Sequence, residues 1–301
     1  MSRLALSLGC GALVIAISTV LPPATATTIR PPDVYAQGMS NPVTAEDYYQ
    51  RGLSFLEKQD YNRAIADFQK AAQLEPNSVK AHLGLGLVHW LSNNYPETIK
   101  EMTKVIQMDP SVVLAYQVRG DAYLETREYQ KAISDYTTAL KSEQLPVTYF
   151  NRGRCYFFSQ DYSRALADFD KALQLEPNAI DYYYFRGLTH YNLENYQRAI
   201  EDFTRVVTVE EYPPAYYFRS YSYFFLEDYQ KSMTDINKAI ALDNTDPDYY
   251  ILRALNYWVV AKHENALTDA RKALGMYERE GAKEKIELTK EMINSILLDM
   301  K

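Results

Sequence analysis

"YYQRGLSFLEKQDYNRAIADFQKAAQLEPN" (Tyr48–Asn77) returns as "YFNRGRCYFFSQDYSRALADFDKALQLEPN" (Tyr149–Asn178), 101 residues further along. A third copy, "YYFRGLTHYNLENYQRAIEDFTRVV", starts at Tyr183. A self-similar chain is read by its period first, because the fold of one unit then constrains all the others. Gly52, Gly86, Gly120, Gly153 and Gly187, followed by Ser220 and Ala254, mark one phase at spacings of 34, 34, 33, 34, 33 and 34. Seven units therefore fill residues 45–280.

Counting Ala45 as position 1 of a unit, positions 4, 8 and 11 and then 17, 20, 24 and 27 each hold a fixed residue type. Steps of three and four are the spacing of one helix face, so each unit predicts two amphipathic helices. Polar stretches such as "QDYN", "REYQ" and "EDYQ" supply the turn between them. Pro76, Pro110 and Pro177 stop the second helix, since the ring cannot continue it. Pro146 and Pro213 instead open the next helix, where the missing N–H costs nothing. With a reversal near position 14, position 4 should meet 24, 8 should meet 20, and 11 should meet 17. Arg51, Arg119, Arg152, Arg186, Arg219 and Arg253 share position 7, and Asp67, Asp135, Asp168, Asp202, Asp235 and Asp269 share position 23. These two rows lie at nearly one height in the hairpin, which predicts a repeated Arg–Asp pair. The second unit, with Leu85 and Glu101 at those positions, is the most divergent.

The pattern resembles the tetratricopeptide repeat family over 236 of 301 residues. Its W-x2-L-G-x2-Y, then Ala, Phe and Pro, is met here with Tyr for the Trp, and with Arg for the Leu in six of seven units. The resemblance implies an all-α α-solenoid of seven helix-turn-helix repeats in a right-handed superhelix, each repeat touching its neighbours. Residues 281–301 would form the capping helix, with Ile286, Met292, Ile293, Ile296 and Leu297 on its inner face. In this family, positions 2, 5, 9 and 12 of the first helix line the concave face where partners bind. Carried onto this sequence, they give Tyr49, Leu53, Trp90, Phe150, Arg154, Phe157, Tyr184, Tyr191, Tyr217, Tyr221, Phe224 and Trp258 as candidate partner-binding residues. Exposed apolar patches usually mark interaction sites, and Tyr and Trp are enriched at hot spots. The competing reading is that some of these side chains pack between repeats. The implied partner is a protein or peptide segment; the alternative is a glycan, with rings stacked on sugars. The family's carboxylate clamp needs Lys and Asn at positions 5 and 9 of one repeat. Tyr49 and Leu53, like the other pairs, do not supply them.

Nothing in the register assembles catalytic chemistry. Cys155, beside Arg154, holds a position filled elsewhere by Ser54, Val88, Ala122, Thr189, Ser222 and Asn256, and reads as a small packed residue. The four histidines (82, 89, 190 and 263) replace scaffold aromatics, and His82 and His89 are too far apart for an i, i+4 metal pair. No phosphate loop, HExxH, CxxC or GxSxG occurs, so no catalytic residue, metal or cofactor is expected. A net charge of −7 without a basic cluster argues against nucleic acid as partner.

Residues 1–26 read as a targeting segment. A positive start, an apolar run at residues 4–21 and Ala24-Thr25-Ala26 fit a cleaved signal peptide. The same 18 residues are just long enough to be an uncleaved membrane anchor. Both readings place the rest outside the cytoplasm, with residues 27–44 as a flexible linker rich in Pro, Thr and Asn.

Overall fold

Position 1 of every unit opens a helix and position 17 opens a second one. The computed structural model describes residues 42–301; the targeting segment, and the linker up to residue 41, lie outside them. The first four helix pairs are α1 (Ala45–Glu57) and α2 (Tyr61–Leu74), α3 (Val79–Leu91) and α4 (Tyr95–Met108), α5 (Val113–Glu125) and α6 (Tyr129–Ser142), α7 (Pro146–Phe158) and α8 (Tyr162–Leu175). Then come α9 (Ile180–Asn192) and α10 (Tyr196–Val209), α11 (Pro213–Phe225) and α12 (Tyr229–Leu242), α13 (Pro247–Val259) and α14 (His263–Glu280), and last α15 (Lys283–Asp299). No strand occurs among the described residues. This is an all-α solenoid of helical hairpins.

The helices form two compact units that part between Ser159 and Gln160, α1–α7 and α8–α15. Within each, consecutive helices pack in order, and the first helices also approach one another: α1–α3, α3–α5 and α5–α7 in one unit, α9–α11 and α11–α13 in the other. Among the described residues no two second helices approach comparably. The first helices thus line the inner side of each unit.

The turns are all built alike. Position 15 takes a left-handed conformation in every repeat (Gln59, Asn93, Arg127, Gln160, Glu194, Glu227 and Ala261, φ 56° to 62°). The next N–H then reaches back five residues to the carbonyl at position 11, as from Asp60 to Phe55 (2.9 Å), Asn195 to His190 (2.9 Å) and Lys262 to Tyr257 (2.8 Å). This Schellman closure satisfies carbonyls that the helix end would orphan. Asp60, Asp161 and Asp228 then cap the second helix by accepting from the backbone N–H three residues on (3.1–3.2 Å).

The hairpin packing differs in one respect from the expected facing of position 8 with 20. A Cβ on Gly52, Gly120 or Gly187 would lie 2.7–2.9 Å from the ring at position 24, Phe68, Tyr136 or Phe203. Glycine is there to admit that ring. Where position 8 is Ser220, position 24 is the smaller Ile236, and the serine hydroxyl donates to the Ser232 carbonyl at position 20 (2.8 Å). Both contacts exist, but the ring sets the volume.

The Arg–Asp pairing is present as a two-pronged fork. Nε and Nη2 of Arg51, Arg119, Arg186, Arg219 and Arg253 bind both carboxylate oxygens of Asp67, Asp135, Asp202, Asp235 and Asp269 at 2.6–2.9 Å. The remaining nitrogen, Nη1, reaches position 25 of the preceding repeat: Thr103 for Arg119 (3.0 Å), Thr137 for Arg152 (3.1 Å), Asp170 for Arg186 (2.7 Å), Thr204 for Arg219 (3.1 Å) and Asn237 for Arg253 (3.0 Å). These bonds to Asp hold the guanidiniums of Arg51, Arg119, Arg186 and Arg253 above their ordinary range. In the second repeat, where Leu85 is buried, Glu101 is taken instead by His82 Nδ1 (2.5 Å) and Lys104 (2.8 Å).

The last helix, α15, packs on α14. Ile296 is buried beside Ala266 and Leu267, and Met292 and Ile293 pack on that cluster. Leu297, expected inside, is 37% exposed.

A double-mutant cycle on Arg186 and Asp202 is expected to show coupling of about 1–3 kcal/mol in urea unfolding, because truncating either leaves a charge unpaired, the carboxylate buried or the guanidinium half-buried. Ala261→Gly should raise the unfolding midpoint, since a left-handed Cβ costs about 1–2 kcal/mol, which glycine avoids.

Candidate functional site

Positions 5, 9 and 12 share one helix face because they are separated by four and three residues. In the second unit that face is a continuous layer of rings. Tyr184 meets Phe203 (centroids 6.0 Å) and Tyr212 (5.1 Å, edge-on). Tyr191 lies edge-on among Tyr196, Phe218 and Tyr221 at 5.5–6.0 Å. Tyr217 meets Tyr221 at 5.4 Å and Tyr249 at 5.1 Å, so α11 is joined to α13 through rings. Phe224 continues the layer to Tyr221, Phe225 and Tyr229. Edge-to-face contact suits the aromatic quadrupole, so each ring is held by its neighbours. Tyr184, Tyr191, Tyr217, Tyr221 and Phe224 are half-buried, while Phe225 is 46% and Leu226 45% exposed at the rim.

The first unit treats the same positions differently. Tyr49 (6% exposed) and Phe150 (3%) are buried and offer almost no surface to a partner, a correction to their expected place in a groove. Leu53 and Trp90 pack against the core that contains Tyr49, Leu83 and Leu87. Phe157 is half-buried, edge-on to Phe158 at 5.5 Å. Arg154 lies over the Phe150 ring (5.8 Å) and 3.9 Å from Glu125. Trp258, in the second unit, donates from Nε1 to Asp299 at the end of α15 (2.7 Å), so the cap holds it.

Beside Arg154 is a polar cluster. Tyr136 Oη and Asn151 Nδ2 both donate to one oxygen of Asp121, at 2.6 and 3.0 Å. Burial pushes the Asp121 carboxyl up to about 6 in spite of these donors and of the Arg154 charge. Cys155 is buried, consistent with a packing role. Among the described residues no three His, Cys, Asp or Glu side chains converge on a metal position, and no helix is long and apolar enough to cross a membrane.

The rings carry their own electrostatic signature. Burial pushes the hydroxyls of Tyr217 and Tyr249 above their ordinary range; the Tyr221 hydroxyl and then Asp248 add to this at the former, and Asp246 at the latter. Tyr212 and Phe225 extend the face from outside positions 5, 9 and 12, with Tyr249 buried beneath it, and the periodic pattern does not single them out.

Four family models match: a tetratricopeptide repeat model over residues 152–218, a TPR repeat model over 52–93, and further tetratricopeptide repeat models over 118–180 and 213–246. The chain belongs to the tetratricopeptide-repeat family. No match is found among curated proteins. A tetratricopeptide repeat protein from Parabacteroides merdae shares the fold at TM-score 0.60 and 23% identity, over 82% of this chain and 98% of that one. Pseudomonas aeruginosa pilF does so at 0.58 and 18%, over 68% and 94%, and the TPR protein YrrB at 0.54 and 19%, over 59% and 92%. At these identities the likeness establishes the architecture of this tetratricopeptide-repeat protein alone.

His89 and His190 stand at position 11, where four other repeats carry Tyr and the first carries Phe55, and Nδ1 of each is buried without a hydrogen-bond partner. Burial pushes both imidazoles down, so the fold holds the neutral form. The stability this contributes is complete above the ordinary value of 6.5 and is lost as pH falls below it, because the unfolded chain takes up the proton first. His190→Tyr should flatten that acid-side loss, read as the unfolding midpoint across a pH series.

Proposed function

We propose that this tetratricopeptide-repeat protein is a non-catalytic, exported scaffold that holds a segment of a partner protein on the aromatic face of its second unit. The observation that carries the reading is the ring layer from Tyr184 through Tyr191, Tyr217, Tyr221 and Phe224, partly exposed on the inner side of α9 and α11. Large rings held in place by other rings lose little conformational freedom on binding, which favours them as anchors. YrrB, similar in fold, is described as having an unusual peptide-binding site, which supports a peptide as the class of ligand. The apolar run at residues 4–21 supports export or a membrane tether, and hence a role in assembling an envelope complex.

The test is a pull-down with the full chain, followed by calorimetry on the captured segment. Tyr217→Ala and Phe224→Ala should each weaken binding by about 2 kcal/mol or more, and unchanged affinity in both would remove the face as the site. Binding to oligosaccharides in place of any protein segment would replace the partner class by a glycan. Detection of the chain only in the cytosolic fraction would refute export.

A further inference from the structure

Tyrosine hydroxyls in the second unit fall into two groups. Tyr182 donates to Glu176 (3.1 Å), Tyr183 to the Pro177 carbonyl (3.1 Å) and Tyr250 to the Asn244 carbonyl (3.3 Å). Among the described residues the hydroxyls of Tyr191, Tyr217 and Tyr221 find no such partner, and none of the three oxygens is sealed from solvent. Their rings are fixed all the same. Tyr221 stands at 88° to Tyr217 and 68° to Tyr191, and Tyr191 at 66° to Phe218. Three O–H donors are therefore carried on rigid rings at an otherwise apolar face.

The same face is poor in acceptors. Besides these tyrosines, positions 5, 9 and 12 of α9, α11 and α13 hold Tyr184, Leu188, Phe224, Ile251, Leu255 and Trp258. Trp258 has only a donor, already given to Asp299 (2.7 Å). At position 2, Pro214 has no polar side chain, Asp248 is held by Lys285 (2.7 and 2.8 Å) and by Tyr277, and Asp181 also has a partner. An ordinary extended peptide carries an N–H on every residue, and laying it here would cut several of them off from water without acceptors. A tyrosine hydroxyl can itself accept, but three cannot serve every N–H of a segment that crosses α9 and α11. Proline has no N–H, and in the polyproline II form its carbonyls make no internal hydrogen bond. Grooves lined with aromatic rings take such segments at low ordering cost, because the segment is stiff beforehand. The geometry points to a proline-rich occupant: a polyproline II segment of the partner packs against Tyr191, Tyr217 and Tyr221, and its carbonyls accept from their hydroxyls. The inference rests on the aromatic face being a peptide site, and it names the composition and backbone form of that peptide.

The test titrates the full chain by fluorescence anisotropy with three labelled peptides of about ten residues. One is proline-rich, one carries alanine at each of those prolines, and one is rich in Leu and Phe without proline. The proline-rich peptide should bind about tenfold or more tighter than either of the others. Tyr217→Phe and Tyr221→Phe keep the ring and remove the donor, and each should weaken that peptide about threefold or more. Tyr183→Phe, whose lost hydroxyl serves the Pro177 carbonyl, should leave its affinity as it was. Equal binding of the alanine peptide, or no effect of either inner-face Tyr→Phe change, overturns the proline assignment. Binding of the Leu and Phe peptide in place of the proline-rich one, abolished by Phe224→Ala, overturns it too and leaves the aromatic site standing. Failure of all three to bind overturns the site and the inference together.

Discussion

The position-7 guanidinium is the joint on which the repeat depends. Its planar fork fits both oxygens of the position-23 carboxylate, and its third nitrogen is left pointing at the preceding second helix. One side chain thereby ties three helices, two within a repeat and one across the boundary. Lysine could not do this, since it offers a point charge without the fixed angle between donors. The position-4 tyrosines cover the guanidinium face, while the hydroxyls of Tyr183 and Tyr250 donate to the Pro177 and Asn244 carbonyls of the loop before the helix. The second repeat keeps the acid but replaces the arginine, and its His82 and Lys104 close on Glu101 from other positions.

With the hairpins fixed that way, the first helices lie side by side and their inner positions meet across repeats. What then differs between the units is the kind of side chain brought together. In the first unit Tyr49, Leu83, Leu87 and Phe150 sink into continuous packing. In the second, several large rings compete for the same interior and cannot all enter it. They pack on one another, edge-on as between Tyr191 and Tyr221 or stacked as between Tyr221 and Phe225, and remain partly exposed, with Phe225 and Leu226 at the rim. An apolar surface of that kind costs solvation unless something covers it.

Much of this was legible in the sequence. The phase of Gly52 through Ala254 placed two helices and one reversal in each repeat, and the structure has them, opening at position 1 and position 17. The Arg and Asp rows announced their pairing because both recur with the same period. Three features were not legible. The left-handed residue of the turn varies from Gln59 to Ala261, since backbone closure and not side-chain chemistry selects that conformation. Position 25 varies among Thr, Asp and Asn, any of which can accept from Nη1. Asp121 occupies a nominal groove position but is drawn into a cluster with Tyr136 and Asn151, which lie on two other helices.

The sequence by itself determined the architecture, since a period of 33–34 residues with apolar steps of three and four allows one packing of each hairpin. It also determined which side of its helix each tyrosine at a repeated position occupies. Only the tertiary structure decided which of those tyrosines are surface and which are core. A position number fixes direction about one helix axis, whereas burial depends on how closely the next helix approaches and how large its side chains are. Those quantities belong to pairs of repeats, and no single repeat encodes them.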